Sequence, residues 1–148
     1  MRISLHKGVC LVAVTCSLSL SAVLPTQAQA SDVVSQARQY IGTNPTGRSR
    51  LWCGAFMDMV LKQTGRRGGG NLARAYASYG PRVPGPQVGA IAVMGRKGGG
   101  HVGVVSGIDA KGNPIIISGN TWGGGSKKRT VREAPVSRSR VYAYVLPN

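Results

Sequence analysis

From residue 90 onward the sequence consists of short runs rich in β-branched residues, which glycines and turn residues separate. Such runs predict strands, and here they are AIAVMG, HVGVVSGI, PIIISGN, KKRTVRE and RVYAYVLP. The segment DAKGN, residues 109–113, lies between the second and third runs and predicts a hairpin turn. Strands joined by short turns favour an antiparallel sheet.

The chain before this sheet has helical periodicity instead. In SDVVSQARQYIG, residues 31–42, Ser31 or Asp32 can cap a helix and Gly42 can end it. Its apolar positions fall on one face and are Val33, Val34, Ala37, Tyr40 and Ile41.

Two further helices are expected, one from Cys53 to Thr64 and a short one in NLARAYASYG, residues 71–80. In the short helix, Asn71 is the expected cap. The side chains expected to face the core are Leu72, Ala75, Tyr76 and Tyr79. Helices followed by a run of strands predict an α+β fold, in which N-terminal helices pack on an antiparallel β-sheet.

The first 30 residues have the layout of a secretory signal peptide. Arg2 and Lys7 form a basic start, an apolar run follows, and Ala28-Gln29-Ala30 is a small-x-small cleavage pattern. We therefore expect a signal peptide at residues 1–30, one domain at residues 31–148, and a periplasmic or extracellular location. Removal of this segment lowers the net charge from +15 to +13, with no transmembrane segment expected in the rest.

Cleavage leaves a single cysteine, Cys53, because Cys10 and Cys16 lie in the leader. An unpaired cysteine in an exported protein indicates a free thiol. Cys53 opens a predicted helix, where unpaired backbone N–H groups and the helix dipole favour the thiolate, the nucleophilic form. The alternative is a small buried apolar side chain, as most lone cysteines are. Cys53 is the candidate nucleophile, and its own N–H is a candidate oxyanion donor.

His101 is the only histidine that remains after cleavage, and it opens the strand HVGVVSGI. A cysteine nucleophile needs a base, and an imidazole with an ordinary pKa is suited to that role. The alternative is a histidine at a strand edge or in the core. His101 is the candidate base.

Asn120 is the candidate residue to orient the His101 ring, through its side-chain carbonyl. A four-residue loop at residues 109–112 places Asn120 opposite His101, whereas a bulge at Gly112 places Thr121 there and Asn120 beside it. The alternative for Asn120 is a turn residue before TWGGG.

Glycines around these three residues would let a substrate backbone approach closely, or they form mobile loops. Gly54 and Gly100 are the ones adjacent to Cys53 and His101. Trp52 and Trp122 flank Cys53 and Asn120, and they are expected either as cleft walls or as core residues.

The segments LWCGAF, PGPQVGAIAVM, GGGHVGVVSG and IIISGN resemble, in this order, the papain-like cell-wall cysteine hydrolases of the NlpC type and their CHAP-type relatives. The resemblance covers residues 31–147. It implies a papain-like domain whose catalytic residues are Cys53, His101 and Asn120. It also implies cleavage of peptide or amide bonds in peptidoglycan, by a stem-peptide endopeptidase or a muramoyl-alanine amidase, with no metal or other cofactor. Trp52 and Gly54 replace the commoner Asp and Ser around the cysteine, which leaves the cleaved bond open.

The high positive charge predicts attraction to anionic surfaces of the cell envelope as well as to peptidoglycan. Basic residues cluster at Arg48 with Arg50, Arg66 with Arg67, residues 127–129, and Arg138 with Arg140. A non-catalytic cationic wall-binding protein on the same fold is the alternative function, and it predicts a Cys53 that is buried or far from His101. No nucleic-acid partner is expected, because the basic residues form no long stripe and few aromatic residues interleave with them.

Overall fold

A computed structural model of the chain describes the backbone at residues 27–123 and 126–147, and the side chains at residues 32–123 and 127–147. Nearly all of the expected signal peptide, including Cys10 and Cys16, lies outside the described residues. Within the described residues, no helix is long and apolar enough to cross a membrane.

The α+β prediction is confirmed. Two α-helices come first, α1 at Gln27–Arg38 and α2 at Cys53–Gln63, followed by a 3₁₀ helix at Ala73–Ser78. The strands are β1 at Arg82–Val83, β2 at Ile91–Met94, β3 at His101–Ile108, β4 at Pro114–Gly123, β5 at Ser126–Pro135 and β6 at Val141–Val145. They form one antiparallel sheet in the order β1-β6-β2-β3-β4-β5, and a 3₁₀ turn at Arg138–Arg140 precedes β6.

The bounds of α1 differ from the prediction at both ends. The helix begins at Gln27, before the expected caps Ser31 and Asp32, and it ends at Arg38. Val33, Val34 and Ala37 are buried as expected. Ile41 lies beyond the helix, is 42% exposed and forms a parallel bridge with Val131, because a partner on β5 replaces the next helical turn.

The predicted third helix is a 3₁₀ helix, and this changes which side chains face the core. A 3₁₀ helix has three residues per turn, so positions three apart share a face. The buried residues are Ala73, Tyr76 and Tyr79, whereas Leu72 and Ala75, expected in the core from a 3.6-residue period, are exposed.

The DAKGN segment forms the predicted turn between β3 and β4. Asp109 N–H donates to the Asn113 carbonyl at 2.9 Å, and Gly112 has a φ of 79°. The adjacent pair is Ile108 with Pro114, which is the register expected for a bulge at Gly112. A second irregularity between Val105 and Gly107 then shifts the register back by one residue, so that Val104 pairs with Ile117.

Each face of the sheet carries its own apolar cluster. The helices cover the first face, where Val102, Val104 and Ile117 pack with Phe56 and other side chains of α1 and α2. The opposite face holds a smaller cluster, which consists of Ala90, Ala92, Met94, Val105, Ile116 and Tyr144. The two faces are therefore distinct environments, and a side chain on β3 belongs to one or the other.

Candidate active site

Cys53 is the first residue of α2 and lies at an uncapped helix start. Trp52 occupies the N-cap position and makes no side-chain capping hydrogen bond, and the first α-helical bond there runs from Phe56 N–H to the Trp52 carbonyl. The backbone N–H groups that precede Phe56 on the helix receive no such side-chain cap, and they are the usual binding site for a negative charge. Cys53 is a free thiol among the described residues and is 5% exposed.

The Cys53 cavity is a depression of about 220 Å³ beside the thiol. Its walls are Leu51, Asn71, Leu72, Ala73 and the segment Gly98–Gly100. None of these residues carries a charge. Leu51 and Leu72 are 65% and 53% exposed, so they form apolar edges around the opening.

The backbone beside Cys53 is constrained. Leu51 has a φ of 53°, in the left-handed region that residues other than glycine rarely adopt. Backbone strain of this kind tends to occur at functional sites. A methyl group on Gly54 would collide with the backbone carbonyl of Asn71. Gly54 therefore lets α2 pack directly against the segment that lines the Cys53 cavity, which is a packing role in addition to its place beside the cysteine.

Tyr76 forms hydrogen bonds in the same region, although the sequence predicted only a core position for it. Its hydroxyl lies 3.0 Å from the Gly54 carbonyl and 2.9 Å from the Gly70 carbonyl. Burial is the main reason that the pKa of Tyr76 is raised well above its usual range, so the hydroxyl stays neutral. Tyr76 fixes the start of α2 relative to residue 70.

His101 lies on the face of the sheet opposite to Cys53. It pairs with Met94 across β2 and β3, and directly paired residues point to the same face. Met94 belongs to the cluster on the uncovered face, whereas Val102, next to His101 on β3, packs under the helices. Among the described residues, no hydrogen bond joins the Cys53 thiol to the His101 ring.

The His101 ring is held in a chain of hydrogen bonds that all run in the same donor-to-acceptor direction. Arg96 Nη1 lies 3.4 Å from Nδ1, and since a guanidinium can only donate, Nδ1 accepts. Nε2 therefore carries the proton and donates to Ser118 Oγ at 3.0 Å. The Ser118 hydroxyl in turn lies 3.2 Å from Thr121 Oγ1 and can donate to it. The arrangement fixes a neutral imidazole whose proton is on Nε2.

The surroundings of His101 disfavour its charged form. Burial is the largest cause, and the positive charges of Arg96 and Arg140 add to it, so the pKa of His101 is lowered from 6.5 to about 4. A general base works best with a pKa near the working pH. In this orientation His101 is neutral at pH 7 but is a weaker base than an ordinary imidazole.

Asn120 is buried but does not contact the His101 ring. Its side chain is 1% exposed, and its Oδ1 accepts from Arg129 Nη1 at 3.2 Å. Asn120 has a φ of 60° and lies in an irregularity of the ladder, because β4 advances three residues from Ser118 to Thr121 while β5 advances two. This bulge places Ser118, and not Asn120, against the His101 ring.

The two tryptophans have different positions. Trp52 is fully buried and packs edge-on against Phe56, so it is a core residue and not a cleft wall. Trp122 is 53% exposed, and the guanidinium of Arg129 lies 4.8 Å from its ring centre. Trp122 also borders a basic groove of about 740 Å³, which we define by Arg50, Trp122, Lys127, Lys128 and Arg129.

The structure therefore separates the residues that the sequence grouped. Cys53 and Gly100 line one cavity, His101 lines another on the opposite face, and Asn120 contacts Arg129. Sequence reasoning missed Ser118 and Arg96 as partners of His101. The signal for Ser118 was a single small polar residue directly after the apolar run PIII, two positions before Asn120.

Within residues 27–123 and 126–147, no group of three or more His, Cys, Asp or Glu side chains could hold a metal ion. In a comparison with known families, the model of the CHAP domain matches residues 43–120. That range begins before Cys53 and ends at Asn120. No curated protein and no solved structure matches the chain at a significant level.

Proposed function

Because the chain belongs to the CHAP domain family, whose members are usually hydrolases acting on peptidoglycan, we propose that it is an exported cysteine hydrolase of peptidoglycan. In this proposal it cleaves peptide bonds of the stem peptide or the muramoyl-alanine amide. The observation that carries the proposal is the position of Cys53, at the uncapped start of α2 and beside an uncharged cavity. A developing oxyanion is stabilised by the unpaired N–H groups at such a helix start.

The reaction in this proposal begins when His101 takes the thiol proton and the Cys53 sulfur attacks the scissile carbonyl carbon. The oxyanion that forms is held by N–H groups at the start of α2. When the C–N bond breaks, His101 protonates the leaving amine and the acyl group stays on sulfur as a thioester. Water then gives a proton to His101 and attacks the thioester, which releases the acid and restores the thiol.

This sequence of steps requires the His101 ring to turn from Ser118 to the Cys53 side of the sheet. His101 is the first residue of β3, and Gly98, Gly99 and Gly100 precede it with φ values of 87°, 129° and 87°. The same three glycines line the Cys53 cavity. A rotation at this strand end also takes the ring away from Arg96 and Arg140, whose positive charges add to burial, the main cause, in lowering the pKa of His101. The turned ring is therefore a better base. Asn120 is proposed to orient the turned ring.

Attachment to the envelope is proposed to involve the basic groove. It contains no acidic side chain and carries four basic residues beside the exposed Trp122 ring. Such a surface attracts anionic polymers, and an exposed tryptophan adds a flat apolar contact.

The test is incubation of purified peptidoglycan with the wild-type protein and with the Cys53→Ala variant, followed by mass spectrometry of the soluble products. We expect new fragments from the wild type alone, and their masses identify the cleaved bond. Equal fragments from Cys53→Ala would refute the cysteine mechanism. Circular dichroism of both proteins checks that the substitution leaves the fold intact.

A second function, a non-catalytic cationic wall-binding protein, is favoured by two observations. Cys53 is 5% exposed, and its thiol makes no hydrogen bond to His101 within the described residues. This alternative predicts no fragments from either protein, while both sediment with the wall and are released by salt.

A further inference from the structure

The cavity that contains His101 is a second, partly open site, on the face of the sheet away from the helices. It has a volume of about 230 Å³. We call it the arginine cavity, because Arg96, Arg132 and Arg140 line it together with His101 and Ser118. The lining contains no Asp or Glu side chain.

No acidic side chain of the chain neutralises these arginines. The chain has four acids, and three of them form ion pairs elsewhere. These pairs are Arg38–Glu133, Lys62–Asp58 and Arg66–Asp32. The fourth acid, Asp109, accepts hydrogen bonds from Lys111 and Asn113 in the β3–β4 turn. The guanidiniums of the arginine cavity are therefore not paired with an acidic side chain, which leaves them available to a bound anion.

The hydrogen bonds of the arginines leave donors for such a molecule. Arg96 uses one N–H toward His101, and Arg132 Nη1 donates to the Gly123 carbonyl at 2.7 Å. A guanidinium carries five N–H donors, so each of these side chains keeps several. Planar guanidinium groups match a carboxylate particularly well, because they can bind both of its oxygens.

Apart from the Thr121 hydroxyl, the rest of the lining is apolar. Met94 and Ile116 are buried at its base, and Ala134 and Val136 lie at its wall. This combination suits a carboxylate that is carried on a small aliphatic group. The volume is below the usual range of about 300–1,000 Å³ for drug-sized ligands, which favours the end of a chain over a whole molecule.

We propose that the arginine cavity binds the terminal carboxylate of a short peptide whose last side chain is small and aliphatic. The guanidiniums of Arg132 and Arg140 hold the carboxylate, and the side chain rests on Met94 and Ile116. The choice of a wall peptide as the occupant rests on the proposed function. The cavity lies on the other face from Cys53, so this contact anchors a strand of the wall and does not hold the bond that is cleaved.

The experiment titrates N-acetyl-D-alanyl-D-alanine into the Cys53→Ala variant of the full chain, and NMR follows the His101 ring. A His6→Gln variant distinguishes His101 from the other histidine of the chain. We expect saturable binding and an increase in the pKa of His101, because the bound anion offsets Arg96, Arg132 and Arg140, the charged groups that line the cavity with it. The same dipeptide with a C-terminal amide should bind at least about tenfold more weakly, since it loses a charge-assisted hydrogen bond.

Matched variants separate the cavity from general positive charge. Arg140→Gln should weaken binding by about tenfold or more. Arg138→Gln removes the same charge from the same 3₁₀ turn, outside the cavity, and should leave binding unchanged. Equal binding of acid and amide, equal loss in both variants, or binding of inorganic phosphate but not of the dipeptide would each overturn the proposal. Since Cys53→Ala performs no hydrolysis in the proposed function, this binding result is independent of whether the wild type cleaves peptidoglycan.

Discussion

The two faces of the sheet present opposite surfaces to a substrate. The Cys53 cavity is lined by leucine, alanine, asparagine and glycine, with no charge, whereas the arginine cavity holds three guanidiniums around His101. The first surface suits a neutral peptide backbone next to a helix start. The second lowers the basicity of the His101 imidazole. Cys53 and His101 therefore lie in different electrostatic environments, although the segment Gly98–Gly100, which lines the Cys53 cavity, leads directly into His101.

The largest effect should come from His101, whose ring turns from one face to the other in the proposed reaction. His101→Gln removes the proposed base, and general base catalysis contributes about 10²–10⁴-fold. We expect a loss of that order in kcat/KM for release of peptidoglycan fragments. The exposed Arg138→Gln variant is the control, with activity close to that of the wild type. Full activity in His101→Gln would assign the chemistry to the Cys53 face alone.

Acid should destabilise the protein through His101. Its pKa is about 4 in the folded protein against 6.5 for an ordinary histidine, so the unfolded state takes up the proton first as the pH falls. This contribution is fully present above pH 6.5, declines between 6.5 and about 4, and amounts to roughly 3 kcal/mol of unfolding free energy.

The measurement is urea unfolding at several pH values, with the wild type compared with His101→Gln. Carboxylates such as Glu133, whose pKa is lowered mainly by its hydrogen bond with Arg38, also contribute less to the unfolding free energy in acid. They do so equally in both proteins. The difference between the two curves therefore isolates His101. Parallel curves would mean that His101 is solvated in the native state.

Packing under the Cys53 face should be intolerant of added volume. Gly54→Ala places a methyl group against the Asn71 carbonyl, and overpacking of this kind costs about 1–3 kcal/mol. Gly85→Ala is the matched control, because a methyl group at Gly85 meets no atom within 4 Å. Chemical denaturation should show a loss for Gly54→Ala and no loss for the control. Equal stability of both variants would show that α2 can move away from residue 71.

The smallest effect is expected from Ser118, whose hydrogen bond should retain the His101 ring in the arginine cavity. Ser118→Ala removes the 3.0 Å hydrogen bond to Nε2, worth about 1 kcal/mol, so the ring should turn more often toward Cys53. Initial rates of fragment release should rise by up to about fivefold. A decrease in rate would instead make Ser118 a residue that orients the ring during catalysis.

The order of elements could be predicted from the sequence, because periodicity and turn chemistry are local. The run HVGVVSGI is β3 in full, and DAKGN is the turn that follows. The 3₁₀ helix at Ala73–Ser78 was not predictable from an apolar pattern that also fits an α-helix.

The contacts of the site were harder to predict from the sequence than the fold. The position of the His101 ring depends on two register irregularities, near Ser106 and at Asn120, which alternation along a strand does not reveal. The positive φ of Asn120 has no signature beyond the tolerance of asparagine for that region. Trp52 could not be assigned to core or cleft until its packing against Phe56 was seen.

The most direct test of the account is the rate at which iodoacetamide alkylates Cys53 between pH 5 and 9, in the wild type and in His101→Gln. Mass spectrometry of the Cys53 peptide separates it from Cys10 and Cys16. We expect faster alkylation in the wild type at neutral pH, with an inflection that is lost in His101→Gln, because the turned imidazole takes the thiol proton. Identical rates at every pH would contradict this expectation and would leave Cys53 and His101 as residues of two unconnected sites.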